Sequence, residues 1–180
     1  MARGGRLSDQ IRPGVMVLFV GINPGLRSAQ TGHHFAGYSN RFWRLLSESK
    51  LVSEPLTYED DARVPTWKLG LTNVIHRPTA GSAALRPSEF VMGRRRLRAT
   101  VRRYRPVVLA LLGVTLYRRL FCETTVHPVR LGWQRERFAG TRVFVLPNPS
   151  GRNARFSYRQ MLRCFILLRR AMTTHPRCKQ

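Results

Sequence analysis

Acidic residues are scarce in this sequence of 180 residues. Nine Asp and Glu accompany 32 Lys and Arg, which gives a formal net charge of +23 at neutral pH. A charge of this size favours polyanionic partners, with an affinity that falls steeply as salt rises. An arginine preference set by genome composition would explain the type of cation but not the shortage of acids. We therefore expect nucleic acid to be the partner.

Cysteine is also rare, with three residues at positions 122, 164 and 178 and no Cys-x-x-Cys pair. This count disfavours disulfide scaffolds, zinc ribbons and cysteine-ligated iron–sulfur clusters. The histidines form no metal-binding pattern either. They are the adjacent pair His33 and His34 and the isolated His76, His127 and His175. We expect no metal and no cofactor.

No apolar run approaches the roughly 20 residues that cross a bilayer. The opening residues, Met-Ala-Arg-Gly-Gly-Arg, contain no apolar signal-peptide core. We therefore expect an intracellular protein, in the cytoplasm or nucleoid if it is bacterial, with no membrane partner. The length suits one domain. We predict a loose N-terminal segment over residues 1–13, a single domain over 14–172 and a C-terminal tail over 173–180.

Short and continuously apolar segments alternate with helical patterns along the chain. Residues 15–20 are six apolar residues in a row, and segments 69–75, 107–112 and 142–146 have the same character. Continuous apolar strands are typical of a parallel sheet that is covered on both faces. We therefore predict an α/β fold, a single-domain three-layer sandwich with a mainly parallel central sheet.

Helix signals separate these strands. One helix is capped by Ser39 or Asn40, and another runs from Pro87 to about Tyr104. A short helix ends near Phe121, and a last helix opens with the capping-box spacing Ser157-x-x-Gln160. Helices on both faces would complete the predicted layers.

Two charged stretches and one loop have open interpretations. We interpret the acidic patch at residues 59–61 as a solvated face. The arginines of the helix 87–104 are either a solvated face or a DNA contact. Residues 26–39 are predicted to form a long loop, a length that is more often functional than not.

Two predicted strand-ending loops share Asn-Pro chemistry, Gly-Ile-Asn-Pro-Gly at 21–25 and Asn-Pro-Ser-Gly-Arg-Asn at 148–153. The carboxyl ends of parallel strands meet at one edge of a sheet, where open α/β folds place their ligands. We therefore expect the two loops to line one crevice. Asn23 would present a neutral amide there.

Six segments in order resemble those of the mismatch-specific uracil-DNA and thymine-DNA glycosylases of the uracil-DNA glycosylase superfamily. They are Gly-Ile-Asn-Pro-Gly-Leu, Thr-Gly-His-His-Phe-Ala-Gly, Asn-Arg-Phe-Trp, Leu-Thr-Asn-Val, Arg-Pro-Thr and Asn-Pro-Ser-Gly. The resemblance extends over about residues 15–168. It implies a monomeric, monofunctional glycosylase that removes uracil from G·U mispairs in double-stranded DNA, with related pyrimidine lesions as further candidates.

The resemblance also implies roles for individual residues. Asn23 falls on the asparagine that positions the attacking water. Phe35 falls on the aromatic residue that stacks on the flipped base, and Asn73 falls on a residue that contacts the pyrimidine. An Asn73 side chain that caps its own backbone is the alternative. The other implied pocket positions are Ile22, Ser28, His34 and Asn40.

The second Asn-Pro loop is implied to enter the duplex and fill the space left by the extruded nucleotide. Its residues are Asn148, Pro149, Ser150, Gly151, Arg152 and Asn153. Arg152 would be the wedge, since its planar head can stack in the gap and donate to the widowed guanine. Many relatives carry an apolar residue there, and Arg155 is the other candidate.

The chemistry of Asn23 limits the expected rate. A neutral amide is a poor general base, so we expect slow turnover and a preference for uracil over thymine. Two other functions remain open. One is a non-catalytic DNA- or RNA-binding module on the same fold. The other is an enzyme acting on a phosphorylated metabolite, which the absence of a phosphate-loop motif disfavours.

Overall fold

The computed structural model describes residues 7–121 and 129–173. Outside these residues lie Cys122, Cys178, His127, His175 and, apart from residue 173, the predicted C-terminal tail. The described strands are β1 (Val17–Gly21), β2 (Leu69–Asn73), β3 (Val108–Leu112), β4 (Gly132–Phe138) and β5 (Thr141–Leu146). The described α-helices are α1 (Leu26–Thr31), α2 (Phe42–Glu48), α3 (Pro87–Tyr104), α4 (Val114–Phe121) and α5 (Tyr158–Thr173). Short 3₁₀ helices cover Tyr58–Trp67 and Ser82–Ala84.

The strands form one sheet in the order β2-β1-β3-β5-β4. β1, β2, β3 and β5 run parallel to one another, and among the described strands only the edge strand β4 is antiparallel, to β5. The prediction of a mainly parallel sheet is confirmed. β4 was not predicted because it reads Gly-Trp-Gln-Arg-Glu-Arg-Phe and is half exposed along most of its length. Such a segment carries no continuous apolar signal.

Helices cover both faces of the sheet. On one face, Phe19 of β1 packs against Phe42 of α2 and Phe165 of α5, with ring centroids 5.3 and 6.2 Å away. On the other face, Leu18 belongs to a separate buried cluster that includes Leu97 of α3 and residues of α4. Alternate residues of β1 thus point into two cores, as a doubly covered strand requires. The three-layer sandwich is confirmed.

The loop predicted over residues 26–39 is wrong in its first part. Residues Leu26–Thr31 form α1, which begins after Gly25 and ends at Gly32 in the left-handed conformation. A helix of six residues has too few turns to show an apolar stripe in the sequence.

At α2 the N-cap position is Arg41, but the Asn40 Oδ1 still accepts a hydrogen bond of 3.0 Å from the Phe42 N–H.

The expectation of a loose N-terminal segment does not hold for residues 7–10. Leu7 is buried, and Gln10 forms an antiparallel bridge with Leu71 through backbone hydrogen bonds of 3.0 and 2.9 Å. The Thr72 hydroxyl donates to the Asp9 carboxylate at 2.7 Å. Because β2 is an edge strand, its outer backbone groups are free to pair with this segment.

The acidic patch is also not a uniformly solvated face. Glu59 is exposed, whereas Asp61 is only 1% exposed. The patch lies on the 3₁₀ helix Tyr58–Trp67, which packs against β2.

None of the helices within residues 7–121 and 129–173 has the length and apolarity of a membrane span.

Candidate active site

A cavity of about 750 Å³ opens at the carboxyl ends of the parallel strands. Its volume falls in the range of small-molecule sites, roughly 300–1,000 Å³. The two Asn-Pro loops line this one cavity, as the parallel sheet predicts. Segments 79–83 and 112–115 and the side chains of Phe35 and Asn73 also line it. We refer to residues 21–25 as the β1 loop and residues 148–153 as the β5 loop.

The Asn23 side chain has a fixed orientation in this cavity. Its Nδ2 donates to the Thr79 Oγ1 at 2.7 Å and to the Arg77 carbonyl oxygen at 3.1 Å, and it lies 3.1 Å from the Pro24 carbonyl oxygen. The Thr79 hydroxyl itself donates to the Gly81 carbonyl oxygen at 2.8 Å. Its proton is therefore used, and it can only accept from Asn23. The Asn23 Oδ1 is left as an acceptor.

Thr79 was not predicted to have a role, although it belongs to the segment Arg-Pro-Thr that the resemblance includes. It forms a parallel bridge with Gly25, and its N–H donates to the Pro24 carbonyl oxygen at 3.1 Å. The segment that begins at Arg77 thus runs along the β1 loop. A β-branched residue with a hydroxyl beside a Gly/Ser-rich loop is the one sequence signal that could have indicated it.

Arg77 ties this segment to the start of α3. Its guanidinium donates to both carboxylate oxygens of Glu89, each at 2.8 Å. The Arg77 hydrogen bonds, helped by the Arg86 N–H, lower the pKa of Glu89 to about 2. The pair therefore stays ionised at neutral pH and links the Arg77 side chain to the first turn of α3.

Phe35 lines the cavity in a backbone conformation that is unusual for a residue with a side chain. Its φ is +55°, and its ring lies 4.2 Å from that of Phe42, centroid to centroid. The next residue is held by Ser28, whose Oγ accepts from the Ala36 N–H at 3.1 Å. Ser28 is therefore a support for the loop that carries Phe35, and it also lines the cavity.

His34 lies behind the cavity wall and is not among the residues that line the cavity. It is 1% exposed, and its Nε2 lies 2.9 Å from the Ser8 carbonyl oxygen. Burial lowers the pKa of His34, so the ring is neutral, and the Nε2 carries the proton because its partner is a carbonyl. The structure assigns this residue to packing against residues 7–10.

Asn73 ends β2 at the floor of the cavity and is 4% exposed. Its side-chain amide makes no hydrogen bond to another described residue, so the alternative of a cap on its own backbone is not observed. The backbone behind it is supported by α3, since the Arg96 Nη2 donates to the carbonyl oxygens of Asn73 and Val74. Arg96 thus supports the end of β2, whereas for the other arginines of α3 the solvated face and the DNA contact both stay open.

The β5 loop is held at its base by its own asparagines. The Asn148 Oδ1 accepts from the Ser150 N–H at 3.0 Å, and the Asn153 Nδ2 donates to the Asn148 carbonyl oxygen at 2.8 Å. The Pro149 carbonyl oxygen accepts from the Arg41 N–H at 2.9 Å. Gly151 lies so close to Ser39 that a Cβ would overlap the Ser39 side chain.

The two candidate wedge residues are exposed and both line the cavity. The Arg152 Nη1 donates to the Ala80 carbonyl oxygen at 2.6 Å, which joins the β5 loop to the segment after Thr79. Arg155 packs on Phe156, with its guanidinium carbon 5.6 Å from the ring centroid. Arg152 therefore lies at the mouth of the cavity.

The sequence model of the Uracil DNA glycosylase superfamily matches residues 8–169 of this chain. The chain belongs to the uracil DNA glycosylase superfamily. The match includes both Asn-Pro loops, Phe35 and Asn73, and it begins within the N-terminal segment that is paired with β2.

Two individual proteins are similar to this member of the superfamily. A curated relative from Schizosaccharomyces pombe, named G/U mismatch-specific uracil DNA glycosylase, is 38% identical over 156 residues. The alignment covers 83% of this chain and 48% of the relative, so the chain spans about half of that relative's length. The solution NMR structure of a uracil DNA glycosylase candidate from Methanosarcina acetivorans superposes with a TM-score of 0.61. It covers 91% of this chain and 94% of that one at 18% identity, which shows the fold alone.

The site of this superfamily member thus combines most of the residues expected from the sequence. Asn23, Ile22, Ser28, Phe35, Asn40, Asn73 and the whole β5 loop line the cavity, and His34 does not. Ile22 and Phe35 each leave a backbone N–H that donates to no other residue within the described part of the chain. No group of three or more His, Cys, Asp or Glu side chains within residues 7–121 and 129–173 could hold a metal ion.

Proposed function

We propose that this chain is a monofunctional, mismatch-specific DNA glycosylase. It flips uracil out of G·U mispairs and hydrolyses the N-glycosidic bond, leaving an abasic site. The Asn23 amide carries the proposal, because the Thr79 and Arg77 bonds leave its Oδ1 as an acceptor in a cavity that also holds an aromatic ring and a second amide. The superfamily membership and the name of the Schizosaccharomyces pombe relative, a G/U mismatch-specific uracil DNA glycosylase, support it.

Asn23 acts by orienting water. A water that donates to the Asn23 Oδ1 directs a lone pair away from the amide, toward the anomeric carbon of a bound nucleotide. An amide cannot take a proton from the water, so the N-glycosidic bond breaks first and its electrons leave with the base. The water oxygen then bonds to the anomeric carbon, and its proton passes to the departed base anion or to bulk water. Uracil therefore reacts faster than thymine.

The rest of the cavity holds the base. Phe35 stacks on its face, a contact worth about 1–3 kcal/mol per base in single-strand binders. The Asn73 amide bonds to the edge of the pyrimidine. The unused N–H groups of Ile22 and Phe35 donate to the leaving anion, the kind of electrostatic support that accelerates bond cleavage in enzymes.

The surroundings of the cavity fit double-stranded DNA. The charge of +23 draws the chain to the phosphate backbone, and the β5 loop enters the duplex with Arg152 as its wedge. One extruded base occupies one pocket, so the chain acts as a monomer. Its substrate places it in the compartment that holds the genome. Thymine and other pyrimidine lesions opposite guanine are weaker substrates of the same pocket.

Strand cleavage after alkali treatment tests this proposal. Labelled duplexes with U opposite G, U opposite A and T opposite G, and a single strand with U, are incubated with excess enzyme. The variants are Asn23→Ala, Phe35→Ala and, as a matched control, Gln30→Ala, which removes an exposed amide from α1. We expect cleavage of the G·U duplex by wild type and Gln30→Ala, and its collapse in Asn23→Ala.

Two results would contradict the proposal. Tight, salt-dependent duplex binding without cleavage of any uracil substrate would indicate a non-catalytic binding module on this fold. Cleavage that persists in Asn23→Ala would keep the glycosylase activity but remove Asn23 from the water site.

A further inference from the structure

Asp61 is a buried carboxylate in contact with His33 and His34, the two residues that precede Phe35. Its Oδ2 accepts from the His34 N–H at 2.8 Å, and its Oδ1 lies 3.0 Å from the His33 Nδ1. The residue is 1% exposed, although the chain has only nine acidic residues and an excess of cations. Burial of a carboxylate costs free energy unless the carboxylate is hydrogen-bonded, so these two contacts stabilise Asp61 in its buried position.

These contacts lie next to the residue that stacks on the base. Phe35 has a φ of +55°, which a residue with a side chain rarely adopts, so its neighbours must hold it. On one side, Asp61 binds the His34 N–H. On the other side, the Ser28 Oγ accepts from the Ala36 N–H at 3.1 Å. The loop is thus pinned on both sides of the aromatic ring.

The two anchors differ in strength. A hydrogen bond to an ionised carboxylate is about twice as strong as one to a neutral hydroxyl. Asp61 is a charged acceptor in a buried position, whereas Ser28 is neutral. We therefore expect the Phe35 conformation to depend more on Asp61 than on Ser28.

We propose that Asp61 is a positioning residue for base recognition, which acts on the flipped uracil through the backbone of His34 and the ring of Phe35. This inference rests on the proposed glycosylase function. Asp61 touches neither the base nor the water. It holds the ring where an extruded pyrimidine can stack, so that flipping requires no rearrangement of the loop.

A double-mutant cycle separates this action from a general effect on folding. The variants are Asp61→Ala, Phe35→Ala and the combination, measured by single-turnover excision of uracil from a G·U duplex at a temperature where circular dichroism shows each to be folded. Asp61→Ala alone should lower the rate by about 10-fold, in line with the coupling seen between interacting residues. In the Phe35→Ala background it should lower the rate by less than about 2-fold. Equal losses in both backgrounds would overturn the inference.

Conservative variants provide the rescue. In Asp61→Asn the amide oxygen can still accept from the His34 N–H, and its nitrogen can donate to a neutral His33 ring, so excision should stay within about 3-fold of wild type. His33→Ala should have a similarly small effect, since the His33 side chain is 33% exposed and the bond to His34 remains. An Asp61→Asn rate as low as that of Asp61→Ala would contradict the hydrogen-bond mechanism.

A measurement on the wild-type chain covers the case in which Asp61→Ala does not fold. Amide hydrogen exchange by NMR should show the His34 N–H exchanging at least about 100-fold more slowly than exposed loop amides. Exchange at the loop rate would overturn the inference. If wild type excises no uracil at all, the proposed function fails and this inference fails with it. If wild type is active and the rate losses of Asp61→Ala and Phe35→Ala are additive, only the inference is contradicted.

Discussion

The β1 loop and the β5 loop contain the same Asn-Pro pair at the ends of two parallel strands, yet they are held in different ways. In the β1 loop, the Asn23 amide donates outward, to Thr79 and Arg77 more than 50 residues away in the chain. In the β5 loop, the Asn148 side chain accepts from Ser150, two residues ahead. Bonds to distant residues fix the Asn23 side chain and, within the described residues, leave its Oδ1 as an acceptor, whereas the Asn148 Oδ1 is used within its own turn.

The Asn-Pro pairs of the two loops have the same exposure, since Asn23 and Asn148 are half-buried and Pro24 and Pro149 are buried. The loops differ after the proline, where the β5 loop continues to the exposed Arg152, whose side chain reaches the Ala80 carbonyl oxygen at the mouth of the cavity. A group that orients a reacting water must not move, while a wedge must reach DNA. Under the proposed function, the β1 loop supplies the residue that orients water and the β5 loop supplies the exposed residue that reaches DNA, and the variants below test that difference.

Loss of the Asn23 amide should have the largest effect. Asn23→Ala removes the acceptor for water, and we expect the single-turnover rate on a G·U duplex to fall by about 10²–10³-fold, the range for loss of one preorganised polar contact in an active site. The enzyme concentration at half-maximal rate should change little. A rise in that concentration with an unchanged maximal rate would place Asn23 in binding.

Asn23→Asp sharpens the same point. A carboxylate is a better general base than an amide. Its second oxygen, however, would face the Arg77 carbonyl oxygen, which the Asn23 Nδ2 contacts at 3.1 Å in the wild-type chain. We therefore expect no gain over wild type, measured in the same assay.

Gly21→Ala should have the next largest effect. An added Cβ would overlap the Asn73 Oδ1 and displace the amide that we propose as the contact to the pyrimidine. Loss of one buried hydrogen bond costs about 1–3 kcal/mol, which corresponds to roughly 5–150-fold in excision rate. Gly25→Ala is the matched control, because a Cβ there meets nothing within 4 Å and its φ is −71°. Equal losses in both variants would contradict this account of Asn73.

Arg152→Ala tests the exposed loop. Removal of the wedge should weaken binding of a G·U duplex by about 10-fold, since stacking of this kind is worth about 1–3 kcal/mol. The slope of log K against log salt should fall by about 1 if the guanidinium also neutralises a phosphate. Fluorescence anisotropy at several salt concentrations measures both quantities. A larger loss in Arg155→Ala than in Arg152→Ala would make Arg155 the wedge.

Thr79→Val should have the smallest effect of the set. The change keeps the shape but removes the hydroxyl that accepts from Asn23, so the amide is less firmly oriented. We expect a reduction of about 5-fold in the single-turnover rate, the size of one neutral hydrogen bond of about 1 kcal/mol. Thr79→Ser keeps the hydroxyl and should retain most of the activity. Equal rates in Thr79→Val and wild type would show that Arg77 alone orients Asn23.

Much of the architecture could be predicted because it depends on local patterns. Four strands, the long helix Pro87–Tyr104 and the Ser157–Gln160 capping box all lie where apolar periodicity and capping residues indicate them. β4 and α1 could not be predicted, since one is a polar edge strand and the other has only six residues. Neither carries a period that the sequence alone can show.

The sequence by itself determined the four parallel strands, the two covered faces of the sheet and the presence of two Asn-Pro loops at one edge, because backbone preference and apolar periodicity act over a few residues. Only the tertiary structure decided what each asparagine does. The orientation of Asn23 depends on a threonine 56 positions away, and the Phe35 loop depends on Asp61, which the sequence presents as part of an ordinary acidic patch. Hydrogen bonds between distant segments leave no periodic signal, since they form only when the sheet brings those segments together.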